Sequence, residues 1–215
     1  MPRQQLRSPS TPINLEQHFT TVDTLPAIVS SESLFENDRP LEIEVGSGKG
    51  LFLETVSGQQ PESNFLGIEI AHKYAQHAAG KLARADRTNA IVAAGDALPV
   101  FQSQIADKSI AGVHVYFPDP WWKRKHKKRR VLNAEFLHNT LRVLAPGGRF
   151  HFWTDVLEYF ESAIELAAIE VPELGPPIPE LAAEAEHELD YRTHFERRSR
   201  RHEIPVYRVH YKLPV

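Results

Sequence analysis

The chain has 215 residues, 41% of them hydrophobic and 25% charged, and its 25 Lys+Arg against 28 Asp+Glu leave a formal net charge of -3. A length of this order fits one domain with a sizeable core. With no cysteine, a disulfide framework and a thiolate metal site are excluded, and an apolar run no longer than 90–94 is far short of the roughly 18 residues a membrane-spanning helix needs.

The small net charge hides segregation. Residues 120–151 carry nine Lys/Arg against the single acid Glu135, residues 155–190 carry eleven Asp/Glu and no Lys/Arg, and residues 191–215 carry seven Lys/Arg against two Glu. Blocks of like charge mark interaction surfaces or solvated faces rather than fold determinants.

Residues 1–38 open with Pro, Ser, Thr and Gln and show little periodicity. This predicts an irregular arm that packs only in its later part, around Phe19 to Phe35, ahead of a single domain over 39–215. From Leu41, short apolar runs ending in glycine or an acid alternate with longer helical stretches. Strands are expected at 41–45, 65–70, 90–94, 112–117 and 149–154, with a last one near 205–213. Helices are expected to start at 50–56 and to cover 72–84, 133–144 and 156–169, the third stopped by Pro146-Gly147-Gly148. Four prolines and a glycine between Val171 and Pro179 argue against regular structure, and 180–189 reads as a short acidic helix. The fold class is α/β, a mostly parallel twisted sheet with helices on both faces.

The run LEIEVGSGKG places Gly46, Gly48 and Gly50 after a strand and before a helix, where glycine permits a tight turn and close approach of a ligand to the backbone. The spacing G-x-G-x-G is neither the dinucleotide fingerprint nor a P-loop. Glu44, beside the loop, is a poor neighbour for pyrophosphate but suits a cation such as the ammonium and sulfonium of S-adenosylmethionine. Glu69 closes the second strand, where an acid can accept both hydroxyls of a ribose, and Asp96, after the third, can meet an adenine edge.

After the fourth strand comes FPDPWWKRKHKKRR (117–130), in which seven of the last eight residues are Lys or Arg. Two prolines stiffen the loop around Asp119, Trp121 and Trp122 offer stacking surfaces, and the basic run can neutralise phosphates without reading sequence. Nucleic acid is therefore the favoured substrate. Arg192, Arg197, Arg198, Arg200 and Arg201 can extend the same positive surface.

With IEVGSGKG (43–50), FLGIEI (65–70), GDA (95–97), HFWTD (151–155) and THFERR (193–198), the FPDPW segment makes the chain resemble the bacterial tRNA (guanine-N7-)-methyltransferases. The resemblance implies a Rossmann-like class I fold. It also implies transfer of a methyl group from S-adenosyl-L-methionine to N7 of guanine 46 in the tRNA variable loop, giving N7-methylguanosine. By the same resemblance, Glu44, Gly46, Gly48, Glu69, Asp96 and Asp119 surround the cofactor, and Asp119 is also the catalytic residue. Lys123, Asp155, Thr193, His194, Phe195 and Glu196 meet the substrate, while Lys125, His126, Lys127, Lys128, Arg129 and Arg130 contact RNA. Trp122 and His194-Phe195 depart from the family pattern. The implied partner is tRNA, with no membrane and no metal, for a cytoplasmic monomer or homodimer.

Two rivals stand beside this reading. One is a methyltransferase of the same fold acting on another RNA or a small molecule; the other is an RNA-binding module that has kept a cofactor-like pocket. Neither H-E-x-x-H nor G-x-S-x-G occurs, so zinc-protease and hydrolase chemistry have no support. The acidic 155–190 block, apart from Asp155, reads as a solvated outer face.

Overall fold

The computed structural model describes residues 14–121, 129–181, 196, 199 and 204–215. The strands are β1 (Phe19–Thr21), β2 (Leu41–Val45), β3 (Asn64–Glu69), β4 (Ala90–Ala94), β5 (Ile110–Tyr116), β6 (Leu144–Thr154), β7 (Ile178–Pro179) and β8 (Tyr207–Lys212). The helices are α1 (Ser31–Phe35), α2 (Leu51–Gln59), α3 (His72–Arg84), α4 (Ala97–Ser103), α5 (Ala134–Val143) and α6 (Leu157–Glu170).

One sheet takes the order β1-β4-β3-β2-β5-β6-β8-β7, parallel from β1 to β6 and antiparallel at β8 and β7. From β2 the chain steps outward through β3 and β4, then crosses to β5 on the other side of β2. The crevice at the carboxyl ends of β2 and β5 is therefore the topological switch point, where open α/β sheets bind ligands.

Alternation along the strands separates two cores. Ile43, Val45, Leu66, Ile68, Val113, Val115, Phe150 and Phe152 pack with residues of α4, α5 and α6 on one face. Phe65, Val92, Tyr116 and Trp153 pack with α2 and α3 on the other. That second face also carries Glu42, Glu44, His114 and His151 at the intervening positions, so it is mixed where parallel sheets are usually apolar on both sides.

The expected strands and helices appear within a few residues of their predicted ends, and α1, α4, β1 and β7 are added to them. The arm expected to be irregular contributes β1, paired with β4 through Phe19 and Val92, while Leu25 and Val29 join the core within the stretch expected to pack. Pro146-Gly147-Gly148 follows closely on the end of α5, as expected. The helix ends at Val143, and these residues sit in an irregular start of β6, where Gly147 takes φ 75°. Regular structure does enter 171–179, as a 3-10 turn at Pro172–Leu174 and the short β7. Of the acidic helix expected at 180–189, all but Glu180 and Leu181 lies outside the described residues.

Candidate active site

Every strand from β2 to β6 ends at the switch-point edge, and a sequence-predicted residue follows or closes each of them. Gly46 (φ 81°) and Gly48 (φ 53°) turn the chain in the left-handed region after β2, and a Cβ at Gly46 would meet nothing within 4 Å, which leaves open space over the loop. Gly50 is glycine for another reason, since a Cβ there would lie 2.5 Å from that of Ala78, where α2 and α3 approach.

Glu69 is buried, and its two carboxylate oxygens accept the main-chain N–H groups of Gly48 and Ala71, each at 2.8 Å. Each oxygen keeps a second lone pair for a ribose hydroxyl. Glu44 is 4% exposed, and its Oε2 is buried without a hydrogen-bond partner, as is the hydroxyl of Ser47. Burial, reinforced by the charge of Glu69, pushes the Glu44 carboxyl up to about 8. Unspent buried acceptors beside an open glycine loop fit a polar, cationic ligand. Ser47 was missed in the sequence because a serine between glycines reads as a turn residue.

Asp96 caps α4, accepting the N–H of Leu98 at 3.0 Å, and stays exposed. Between it and Glu69 along the edge stands Ile70, 74% exposed, an apolar surface suited to the flat face of a base. Its exposure is decided by the strand end and carries no sequence signal.

Asp119 projects from a strained turn. Phe117 (φ 50°) and Trp121 (φ 44°) both occupy the left-handed region, which costs a bulky residue on the order of 1–3 kcal/mol. Phe117 offsets this by burying its ring in the core cluster of the α2 and α3 face and donating its N–H to the Trp153 carbonyl at 2.8 Å. Asp119 itself is exposed, and half-buried Asp155 follows β6 at the same edge.

The basic run is only partly placed. Arg129 is exposed, with its guanidinium 5.1 Å from the Trp121 ring, so it keeps the surface position expected of it. Arg130 does not. It is 8% exposed and committed to internal partners, because it lies where the segment returns to the core at Leu132. Lys123, Lys125, His126, Lys127, Lys128, Thr193, His194 and Phe195 lie outside the described residues, as do Trp122, Arg192, Arg197, Arg198, Arg200 and Arg201. Glu196 is buried and paired with Arg208 at 3.0 Å, and the Arg208 guanidinium lies 5.1 Å from the Trp153 ring.

Below this edge, a cavity of about 490 Å³ crosses the mixed face of the sheet, lined by Glu42, His114, His151, Trp153, Glu180 and His210. The register that pairs β5, β6 and β8 sets three histidines side by side, with ring centroids 4.8 Å apart for His114 and His151 and 5.5 Å for His151 and His210. Glu42 accepts from His114 at 2.6 Å, and Glu180 bonds His151 and the Trp153 Nε1–H. Glu180 is thus held inside a polar network, not on the solvated face expected for the acidic block. The rings stack instead of converging, and among the described residues no cluster suits a metal ion.

A doubly wound sheet, a glycine loop at its switch point and acids at successive strand ends define a class I methyltransferase, in which S-adenosylmethionine is the methyl donor. A family model described as "Putative methyltransferase" matches residues 38–209. A tRNA (guanine-N(7)-)-methyltransferase of Rhodopirellula baltica is 56% identical over 217 residues, 99% of this chain and 80% of that protein. Another, of Hydrogenovibrio crunogenus, is 42% identical over 133 residues, 61% of this chain and 55% of that protein. The chain belongs to the tRNA (guanine-N7-)-methyltransferase family.

Solved structures agree on the fold. The 16S rRNA methyltransferase KamB matches with a TM-score of 0.59 at 18% identity, covering 91% of this chain and 99% of that one. The aminoglycoside resistance methyltransferase NpmB1 matches with a TM-score of 0.53 at 17% identity, covering 81% and 87%.

Proposed function

We propose that the protein methylates N7 of a guanine in tRNA, at position 46 of the variable loop, acting in the cytoplasm as a monomer or homodimer. The observation that carries this reading is the placement of Asp119 on a strained, proline-stiffened turn at the switch point, with Arg129 exposed against Trp121 beside it.

S-adenosylmethionine supplies a methyl group on a positively charged sulfur. Glu44 and the Gly46–Gly48 loop would hold its cationic end, Glu69 its ribose, and Ile70 and Asp96 its base. N7 of guanine keeps an in-plane lone pair at neutral pH, so no side chain has to remove a proton before attack. Asp119 orients the guanine and offsets the positive charge that develops on its ring, a contribution that grows toward the transition state. Lys123 and Asp155 steady the base, with Thr193, His194, Phe195 and Glu196 completing its surroundings. The basic residues Lys125, His126, Lys127, Lys128 and Arg129 meet phosphates. Drawing a stacked guanine out costs a few kcal/mol, which these contacts offset.

The test is incubation with labelled S-adenosylmethionine and unmodified tRNA, followed by strand cleavage selective for N7-methylguanosine. Label on position 46 supports the proposal. Label on another base atom, on protein or on a small metabolite would overturn it.

A further inference from the structure

Arg130 closes the basic run, and its place in the sequence suggests one more phosphate contact. The fold turns it inward. Its Nε donates to the Pro120 carbonyl at 2.8 Å, one terminal nitrogen donates to the Ser162 hydroxyl at 3.2 Å, and its guanidinium carbon lies 4.4 Å from the centroid of the Tyr159 ring. The other terminal nitrogen is buried and has no hydrogen-bond partner. With all three nitrogens directed into the protein, no part of the fork is presented to a surface phosphate.

We propose that Arg130 is a positioning residue for Asp119, clamping the far end of its turn through the Pro120 carbonyl, and that it is not an RNA contact. The inference rests on the reading of Asp119 as the catalytic residue.

The reason lies in the turn. Its two left-handed residues, Phe117 and Trp121, persist only if both ends are fixed. The near end is fixed by the Phe117 ring in the core and by its N–H on the Trp153 carbonyl. At the far end proline has no N–H, so Pro120 is held through its carbonyl. Arg130 takes that carbonyl and is itself anchored on α6, through Ser162 and through Tyr159, which is 1% exposed and meets the Leu132 N–H at 3.4 Å. The carboxylate shares this neighbourhood. Burial pushes the Tyr159 hydroxyl up to about 12, and the negative charge of Asp119 acts in the same direction against the opposing Arg130 cation. A planar fork that stacks and donates at fixed angles suits this task, whereas the point charge of lysine does not.

Two variants separate positioning from charge. Arg130→Lys keeps the cation but has no Nε–H, and Arg130→Gln removes the cation. Each is compared with wild type for kcat and KM on tRNA, for tRNA binding across a salt series and for thermal melting. A Lys127→Ala/Lys128→Ala double variant serves as the reference for surface phosphate contacts. The expected result is a kcat reduced about 10- to 100-fold in both Arg130 variants, the scale of a misplaced catalytic group. The KM for tRNA and the slope of log Kd against log salt should stay at wild-type values in Arg130→Gln, while the lysine pair gives a shallower slope.

Full turnover by Arg130→Lys would overturn the proposal. So would an Arg130→Gln protein whose kcat is intact while its KM rises and its salt slope falls. If neither variant melts cooperatively, Ser162→Ala loosens the same anchor and keeps Arg130; a kcat lowered several-fold at unchanged salt slope supports the clamp, and a wild-type kcat rejects it. A wild-type protein that leaves N7 of tRNA guanine unmethylated sinks the functional reading, and the clamp with it.

Discussion

The main-chain N–H of Gly48 donates to the carboxylate of Glu69 at 2.8 Å, so the acid that closes β3 fixes the loop that leaves β2. The second oxygen of the same carboxylate holds the N–H of Ala71 at the start of α3. One side chain thereby sets two backbone segments at the switch-point edge. Hydrogen bonds to a charged acceptor contribute about 1.5–3 kcal/mol each. Glu69→Ala is therefore expected to weaken S-adenosylmethionine binding by at least about tenfold in calorimetry. Wild-type affinity in that variant would mean that the glycine loop holds its shape unaided.

Glu44 is expected to make cofactor binding proton-linked. With its carboxyl raised to about 8 by burial and then by the charge of Glu69, it is protonated in the free protein at neutral pH. A cation beside it favours the ionised form, so binding near pH 7 should release a proton. Calorimetric enthalpies measured in buffers of different ionisation enthalpy will show that release in wild type, and Glu44→Gln should lose the Glu44 contribution. The sign for stability follows from the same shift. The unfolded chain ionises near 4.5 and the folded one near 8, so wild-type stability falls across that interval and is level above it. Glu44→Gln should melt higher than wild type at pH 8 and gain less at pH 5.

Asp119→Asn keeps the shape of the side chain and removes its charge. If the carboxylate offsets charge on the methylated ring, kcat should fall about 100-fold, with the KM for tRNA little changed. Single-turnover methyl transfer measures this directly, and an unchanged rate would remove Asp119 from the chemistry.

Glu180 sets an acid limit on the fold. Burial by itself raises its carboxyl, but the hydrogen bond and charge of His151, the Trp153 Nε1–H and the charge of His210 outweigh it and hold the group at about 2. Its contribution is present above about pH 4.5 and is lost as pH falls toward 2. Glu180→Gln should flatten the acid limb of a stability–pH profile between those values. A limb as steep as that of wild type would place the acid sensitivity elsewhere.

The loop glycines should separate by role. Gly50→Ala combines a φ of 72° with a Cβ 2.5 Å from that of Ala78, and is expected to destabilise by about 2–4 kcal/mol in chemical denaturation. At Gly46 a Cβ meets nothing, so Gly46→Ala should destabilise less, while weakening cofactor affinity by entering the open space over the loop.

Much of this was legible along the chain. Apolar runs such as LEIEV and NFLGIE give strands wherever they pack, and Gly46, Gly48, Glu69 and Asp96 occupy strand ends because the edge of a parallel sheet is defined by the same alternation that reveals it. Phe19–Thr21 was not legible, since three residues without periodicity become a strand only when β4 offers an edge. Nor were the histidines, separated by dozens of residues and aligned only by the register of β5, β6 and β8.

The sequence by itself determined the order of elements, the glycine turn, the acids at the strand ends and the FPDPW segment with its basic run, because composition and local spacing act within a few residues. The tertiary structure alone decided which charges face water. Glu180 and Arg130 both belong to charged blocks that read as surface, yet each is drawn inward by partners from distant segments: His151 and Trp153 on β6, and Tyr159 and Ser162 on α6. A charge can leave water only where hydrogen bonds and opposing dipoles replace its hydration, and those replacements exist only once the chain has folded.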